Sequence, residues 1–99
     1  MAKVEIIISN TAINDLAEIE EYISRDSYRM AHKLISKILS RINLLSDFPG
    51  MGRIVPEFND SKIKELILGN YRVVYMKIDE SKIVVLRIIH GARLLELGE

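Results

Sequence analysis

No cysteine occurs among the 99 residues, which excludes a disulfide framework and any thiolate-held metal. No apolar run approaches the length of about 20 residues that crosses a bilayer as a helix. The opening Met-Ala-Lys-Val-Glu lacks the apolar segment and small-residue cleavage site of a secretory signal. The expectation is therefore a soluble, cytoplasmic chain without membrane contact. Net charge is missing as well, with 14 Lys and Arg against 14 Asp and Glu. Residues 1–50 carry six cations and seven carboxylates, and residues 51–99 carry eight and seven. Neither half is a basic arm or an acidic tail, so any nucleic-acid contact has to come from a local patch. Repeats and low-complexity segments are absent too. What is present is 48% hydrophobic and 28% charged residues, a globular balance. The length suits one domain, residues 1–99, burying roughly two-thirds of its unfolded surface.

Taken in order, Lys3 to Ser9 alternates Val4, Ile6 and Ile8 with Lys3, Glu5, Ile7 and Ser9, the period of a half-buried strand. Ser9, Asn10 and Thr11 can cap a helix, and Ile13, Leu16, Ala17, Ile19 and Ile23 return at helical spacing as far as about Arg25. The face opposite them is expected to be solvated and acidic, with Asp15, Glu18, Glu20 and Glu21. Asp26-Ser27 breaks this helix and caps a second one, whose apolar stripe runs from Met30 and Ala31 to Leu45, ending near Ser46. Its other face carries Arg29, Lys33, Lys37 and Arg41 at four-residue spacing. A basic helix beside an acidic one is either a solvated hairpin with cross-helix ion pairs, each contributing under about 1 kcal/mol, or a partner-binding stripe.

Asp47-Phe48-Pro49-Gly50-Met51-Gly52-Arg53 and Val55-Pro56-Glu57-Phe58-Asn59-Asp60 read as one long connector, ended and bent by its prolines and glycines. It lacks the Lys-Ser/Thr of a phosphate loop. An extended segment from Lys62 closes through Gly69-Asn70 into the most informative stretch of the chain. There, Tyr71 to Ile78 and Ile83 to Ile89 flank Asp79-Glu80-Ser81-Lys82, the pattern of an antiparallel hairpin without Pro or Gly in its strands. The predicted fold is α+β, in the order β-α-α-β-β-β, with a two-helix hairpin packed on one face of a mostly antiparallel four-stranded sheet.

The hairpin carries Arg72, Arg87, His90 and Arg93, cations that are costly to bury without partners. Arg72 suits bidentate phosphate binding and His90 is a candidate acid or base. Arg72 is equally suited to a structural pair with Glu57 or Glu65, and His90 to ordinary hydrogen bonding at a strand end. Tyr71 and Tyr75 share a strand face, as core-edge packing or as a platform for a base. Register separates the possibilities. A three-residue turn makes paired positions sum to 160 and puts Arg72 and His90 on one side; a two- or four-residue turn gives an odd sum and parts them.

Four pieces resemble the RelE/ParE superfamily of type II toxin-antitoxin toxins, closest to its ParE-like plasmid-stabilisation branch. They are Asp15-Leu16-Ala17-Glu18-Ile19-Glu20-Glu21-Tyr22-Ile23, the connector from Asp47 to Phe58, Gly69-Asn70-Tyr71-Arg72-Val73-Val74-Tyr75, and His90-Gly91-Ala92-Arg93. Each piece alone is common; the four in this order and spacing are not. The resemblance implies a growth-inhibiting toxin, without cofactor or metal, neutralised by a cognate antitoxin whose C-terminal part wraps it, as a hetero-oligomer or beside a homodimer. ParE-like members inhibit DNA gyrase by protein-protein contact, which is the leading expectation. RelE-like members cleave messenger RNA on the ribosome, and one such branch has a site matching Glu57, Arg72 and His90, although Gly91 stands where that branch carries a catalytic Tyr. A member that binds antitoxin and poisons nothing is the third reading. Arg53, Lys62, Lys64, Arg87 and Arg93 are the candidates for contact with target or nucleic acid, and Leu94, Leu95 and Leu97 for the antitoxin.

Overall fold

The computed structural model describes residues 3–91; Arg93, Leu94, Leu95 and Leu97 lie outside them. The elements are β1 (Glu5–Ile8), α1 (Asn10–Ser24), α2 (Tyr28–Leu44), β2 (Arg53–Ile54), β3 (Ile63–Leu68), β4 (Tyr71–Asp79) and β5 (Lys82–His90). Two serines start the helices. Ser9 Oγ accepts from the Ala12 amide and Ser27 Oγ from the Met30 amide, both at 3.1 Å, caps that each contribute about 1 kcal/mol. Both helices end a residue or two before the points that apolar spacing suggests, α2 at Leu44, because the last turn is closed by local bonds such as Phe48 N–H to Leu44 O.

The strands form one sheet in the order β1-β5-β4-β3-β2. β1 runs parallel to β5 and the other neighbours are antiparallel. The sheet has five strands rather than four, because Arg53 and Ile54 in the connector pair with Glu65 and Lys64. A two-residue strand is too short for a periodicity test, and only the ladder reveals it.

Both faces of the sheet are covered. On one, Ala12, Ile38, Ile42 and Leu45 of the helical layer pack against Leu66, Leu68, Val73, Tyr75, Ile83, Val85 and Ile88. On the other, the connector folds back so that Val55 and Phe58 meet Val74, Ile89, Ile63 and Leu86. Strands buried on two sides read as continuous apolar runs rather than alternating ones, which is why β4 and β5 are so uniformly hydrophobic. The helical hairpin itself is held by apolar contact: among the described residues, none of the ion pairs joins α1 to α2.

Tyr75 pins the connector. Its side chain is buried in the helical core, and its hydroxyl accepts from the Gly52 amide at 2.9 Å and donates to Pro49 O at 3.0 Å. Burial pushes the phenol pKa upward, opposed by the Gly52 amide. Tyr75 is thereby a structural anchor, not a platform for a base. A Cβ on Gly52 would lie 2.6 Å from both Glu65 O and Tyr75 Oη, whereas one on Gly50 meets nothing nearer than Lys64 Nζ at 4.0 Å. Gly52→Ala is therefore expected to destabilise the fold by about 1–3 kcal/mol and Gly50→Ala to be nearly silent; urea unfolding midpoints of the two variants check this.

Candidate functional site

Arg72 sits in the middle of a buried ionic brace. Its Nε donates to Glu65 Oε1 at 2.6 Å, and its two terminal nitrogens donate to the two oxygens of Glu57 at 2.7 Å each. Glu65 also accepts from Arg53 Nε at 2.8 Å. The Glu65 side chain is 0% exposed and that of Arg72 only 8%. The hydrogen bonds it donates to Glu57 first, and then to Glu65, raise the guanidinium pKa despite burial. The bidentate fork ties the connector, through Glu57 and Arg53, onto β3 and β4. Each of the three guanidinium nitrogens donates to a carboxylate of its own chain, which is the structural pair the sequence allowed as an alternative.

Register then separates Arg72 from His90. Asp79 pairs with Lys82 across the two-residue turn Glu80-Ser81, a sum of 161, and the sum drops to 160 between Tyr75 and Lys77 where Ile78 is bulged out. It returns to 161 from Val74 to Tyr71, because Leu86 is skipped between Val85 and Arg87. A three-residue turn is thus not used, and the second bulge cancels the even register before Arg72 is reached. Arg72 pairs with Ile89, and His90 with Tyr71, so Arg72 and His90 point to opposite faces. The expected set of Glu57, Arg72 and His90 is not assembled: two members form the brace, and the third is on the helical side.

On that helical side His90 contributes to a groove. Its ring meets Tyr71 edge-on, centroids 5.6 Å apart and planes at 74°. The groove holds about 330 Å³ and is walled by Glu18, Ile19 and Tyr22 of α1, with Asp15, Ile88 and Ile89 at its base. Tyr22 is 68% exposed. The chain leaves the described region at Gly91, beside this groove.

Asp15 positions its wall. β1 ends at Ile8, and beyond it β5 would have an open edge; Asp15 fills that edge, accepting the Ile88 amide at 2.8 Å and Arg87 Nε at 2.9 Å, with Arg87 Nη2 at 3.2 Å. Asp15 is 8% exposed, not part of a solvated acidic face. Hydrogen bonding to it raises the Arg87 pKa against desolvation.

Lys62 and Lys64 fall elsewhere. Lys64 pairs with Tyr75, so both lysines lie on the face opposite Arg72, where with Lys77, Ser61, Pro49 and Gly50 they line a half-enclosed groove of about 310 Å³. Among the described residues, Lys77 meets only the exposed Glu80 at 3.4 Å, and neither Lys62 nor Lys64 has an ion-pair partner. Residues proposed for one task are thus divided between a buried brace (Arg53, Glu57, Arg72), an edge clasp (Arg87), an aromatic groove (His90) and a lysine groove. Tyr22 and Asp15 belong to the aromatic groove and were not singled out by sequence. Among the described residues no cluster of His, Asp or Glu could hold a metal, and no helix is long and apolar enough to cross a membrane.

Residues 6–95 match the family described as the ParE toxin of type II toxin-antitoxin systems, parDE. No curated protein matches the chain. Among solved structures, it is similar to a chain of the chromosomal ParDE toxin-antitoxin system from P. aeruginosa, at 19% identity and a TM-score of 0.72 over 89% of this chain and 96% of that one. It is also similar to a chain of the RelBE2 toxin-antitoxin complex from Mycobacterium tuberculosis, at 19% identity and a TM-score of 0.66 over 91% and 99%. At that identity the two structures speak to the fold, and the family match speaks to kinship.

Proposed function

We propose, for a chain that belongs to the ParE toxin family of type II toxin-antitoxin systems, that it arrests growth by binding DNA gyrase rather than by cutting RNA. The observation that carries this reading is the separation of Arg72 from His90. Cleavage at a 2′-hydroxyl needs proton transfer and phosphate stabilisation converging on one phosphodiester. Here the arginine is closed off by Glu57 and Glu65 on one face while the imidazole stands on the other. What remains accessible is a contact surface. Tyr22, Tyr71 and His90 around the groove supply the aromatic anchors that dominate binding energy at protein interfaces, and we assign gyrase contact to them.

We assign the antitoxin to a second surface. Among the described residues β1 is a sheet edge without a further strand, and beside it runs a groove of about 440 Å³ lined by Ile6, Ile8, Leu39, Ser40, Ile42 and Asn43. An extended antitoxin segment adding to this edge gains main-chain bonds, and its alternate side chains enter the groove.

Inducing the chain without antitoxin, while following plasmid supercoiling and transcript integrity, tests the reading. Gyrase supercoiling is expected to fail with transcripts intact. In a purified gyrase assay Tyr22→Ala is expected to raise the inhibitory concentration about 10-fold or more, and His90→Ala to raise it without abolishing inhibition, because the imidazole acts there as a contact and not as an acid or base. Transcripts cut during translation with supercoiling unchanged would overturn the proposal.

A further inference from the structure

The neutral net charge hides a sharp division. α1 contains Asp15, Glu18, Glu20 and Glu21 and no Lys or Arg; α2 contains Arg29, Lys33, Lys37 and Arg41 and no Asp or Glu. Were these charges present to hold the hairpin together they would pair across it. Among the described residues none of the four α2 cations is in an ion pair. Arg29, Lys33 and Lys37 are exposed and Arg41 half-buried, and the Arg41 Nε is desolvated with no acceptor.

From Arg29 to Arg41 the stripe runs twelve residues, about 18 Å at 1.5 Å per residue. Between its cations, on the same solvent side, lie the exposed His32, Ser36 and Ser40, with the exposed Asn43 just beyond Arg41. A duplex presents a phosphate about every 3.4 Å along each strand, and its phosphates are held by Arg, Lys, Ser and Asn side chains of this kind. A protein interface would instead centre on apolar or aromatic anchors. The exposed apolar side chains of α2, Tyr28, Met30, Leu39 and Leu44, stand at the ends and flanks of the stripe.

We propose that the Arg29-Lys33-Lys37-Arg41 face of α2 docks on the phosphodiester backbone of a DNA duplex without reading its sequence. This goes beyond the gyrase reading and needs neither gyrase nor antitoxin to be tested, so its failure leaves that reading standing. The full chain is titrated against a fluorescently labelled 20-base-pair duplex of arbitrary sequence and, in parallel, a labelled single-stranded RNA, with anisotropy read at 50 and 200 mM salt. Saturable binding is expected at the lower salt, weakened on the order of a hundredfold at the higher for about four phosphate contacts. The duplex is expected to bind more tightly than the single-stranded RNA. Lys33→Ser with Lys37→Ser, both solvent-exposed, should keep the thermal melt of the parent and reduce the salt slope by about two. Four results overturn the proposal: no saturable binding of the duplex at 50 mM salt, tighter binding of the RNA than of the duplex, an unchanged slope in the folded double variant, or a poly-glutamate peptide of matched charge competing as well as unlabelled duplex, which would assign the stripe to an acidic protein segment.

Discussion

Arg72→Leu is expected to lower the unfolding free energy by about 3–5 kcal/mol, the usual result of removing one partner from a buried ion pair. For a domain near 100 residues that is a fall of at least about 12 °C in Tm, against a total stability of only about 5–15 kcal/mol. The loss arises mainly from what is left behind. Glu65, with its side chain 0% exposed, keeps only Arg53, whose side chain is 64% exposed, and the connector loses the bidentate fork through Glu57. A second variant separates this cause from simple loss of packing. Arg72→Met combined with Glu65→Leu removes the stranded carboxylate, while Glu57 and Arg53 can turn to water, so part of the stability should return. Urea unfolding of the two variants decides. A single variant within about 1 kcal/mol of the parent would show that the brace contributes little. The prediction also governs how toxicity data are read: loss of growth arrest in Arg72→Leu follows from unfolding, whereas His90→Ala, at an exposed position, removes an imidazole from a chain that still folds.

The order of elements and the hairpin were legible because Val4–Ile8 alternates, Ile13–Ile23 returns at helical spacing, and Tyr71–Ile89 is a pair of apolar, β-branched runs about a polar turn. Ser9 and Ser27 marked the helix starts for the same local reason. Register was not legible. Two bulges, at Ile78 and Leu86, decide which side chains share a face, and uniformly apolar strands carry no alternation from which a skipped residue could be read. Asp15 carried a signal that was available: it lies three residues after the buried Ala12 and four before Ile19, on the apolar side of α1, where a solvated carboxylate does not belong. Its partner at Arg87 is 72 residues away, a distance that local patterns do not span. The five-stranded sheet was hidden likewise, since Arg53–Ile54 becomes a strand only by meeting Glu65 and Lys64.

The second large effect is expected at that same aspartate. Asp15→Ala should destabilise the fold by about 2–4 kcal/mol, combining the loss of a charged hydrogen-bond set at Arg87 with a buried Ile88 amide deprived of its acceptor. Asp15→Asn keeps an oxygen for the Ile88 amide and gives up the charge, so it should fall between parent and Ala. Amide exchange at Ile88 gives the local measurement: it should quicken in Asp15→Ala by more than the global change in stability accounts for, because the clasp opens before the sheet does. Equal acceleration at Ile88 and at Val73 in mid-sheet would mean that the clasp has no separate existence. The consequence reaches function through geometry. Glu18, Ile19 and Tyr22 wall the groove of Tyr71 and His90, and they stand on the helix that Asp15 fastens to β5. If gyrase docks in that groove, Asp15→Asn should weaken inhibition while the chain remains folded, in proportion to Ile88 exchange.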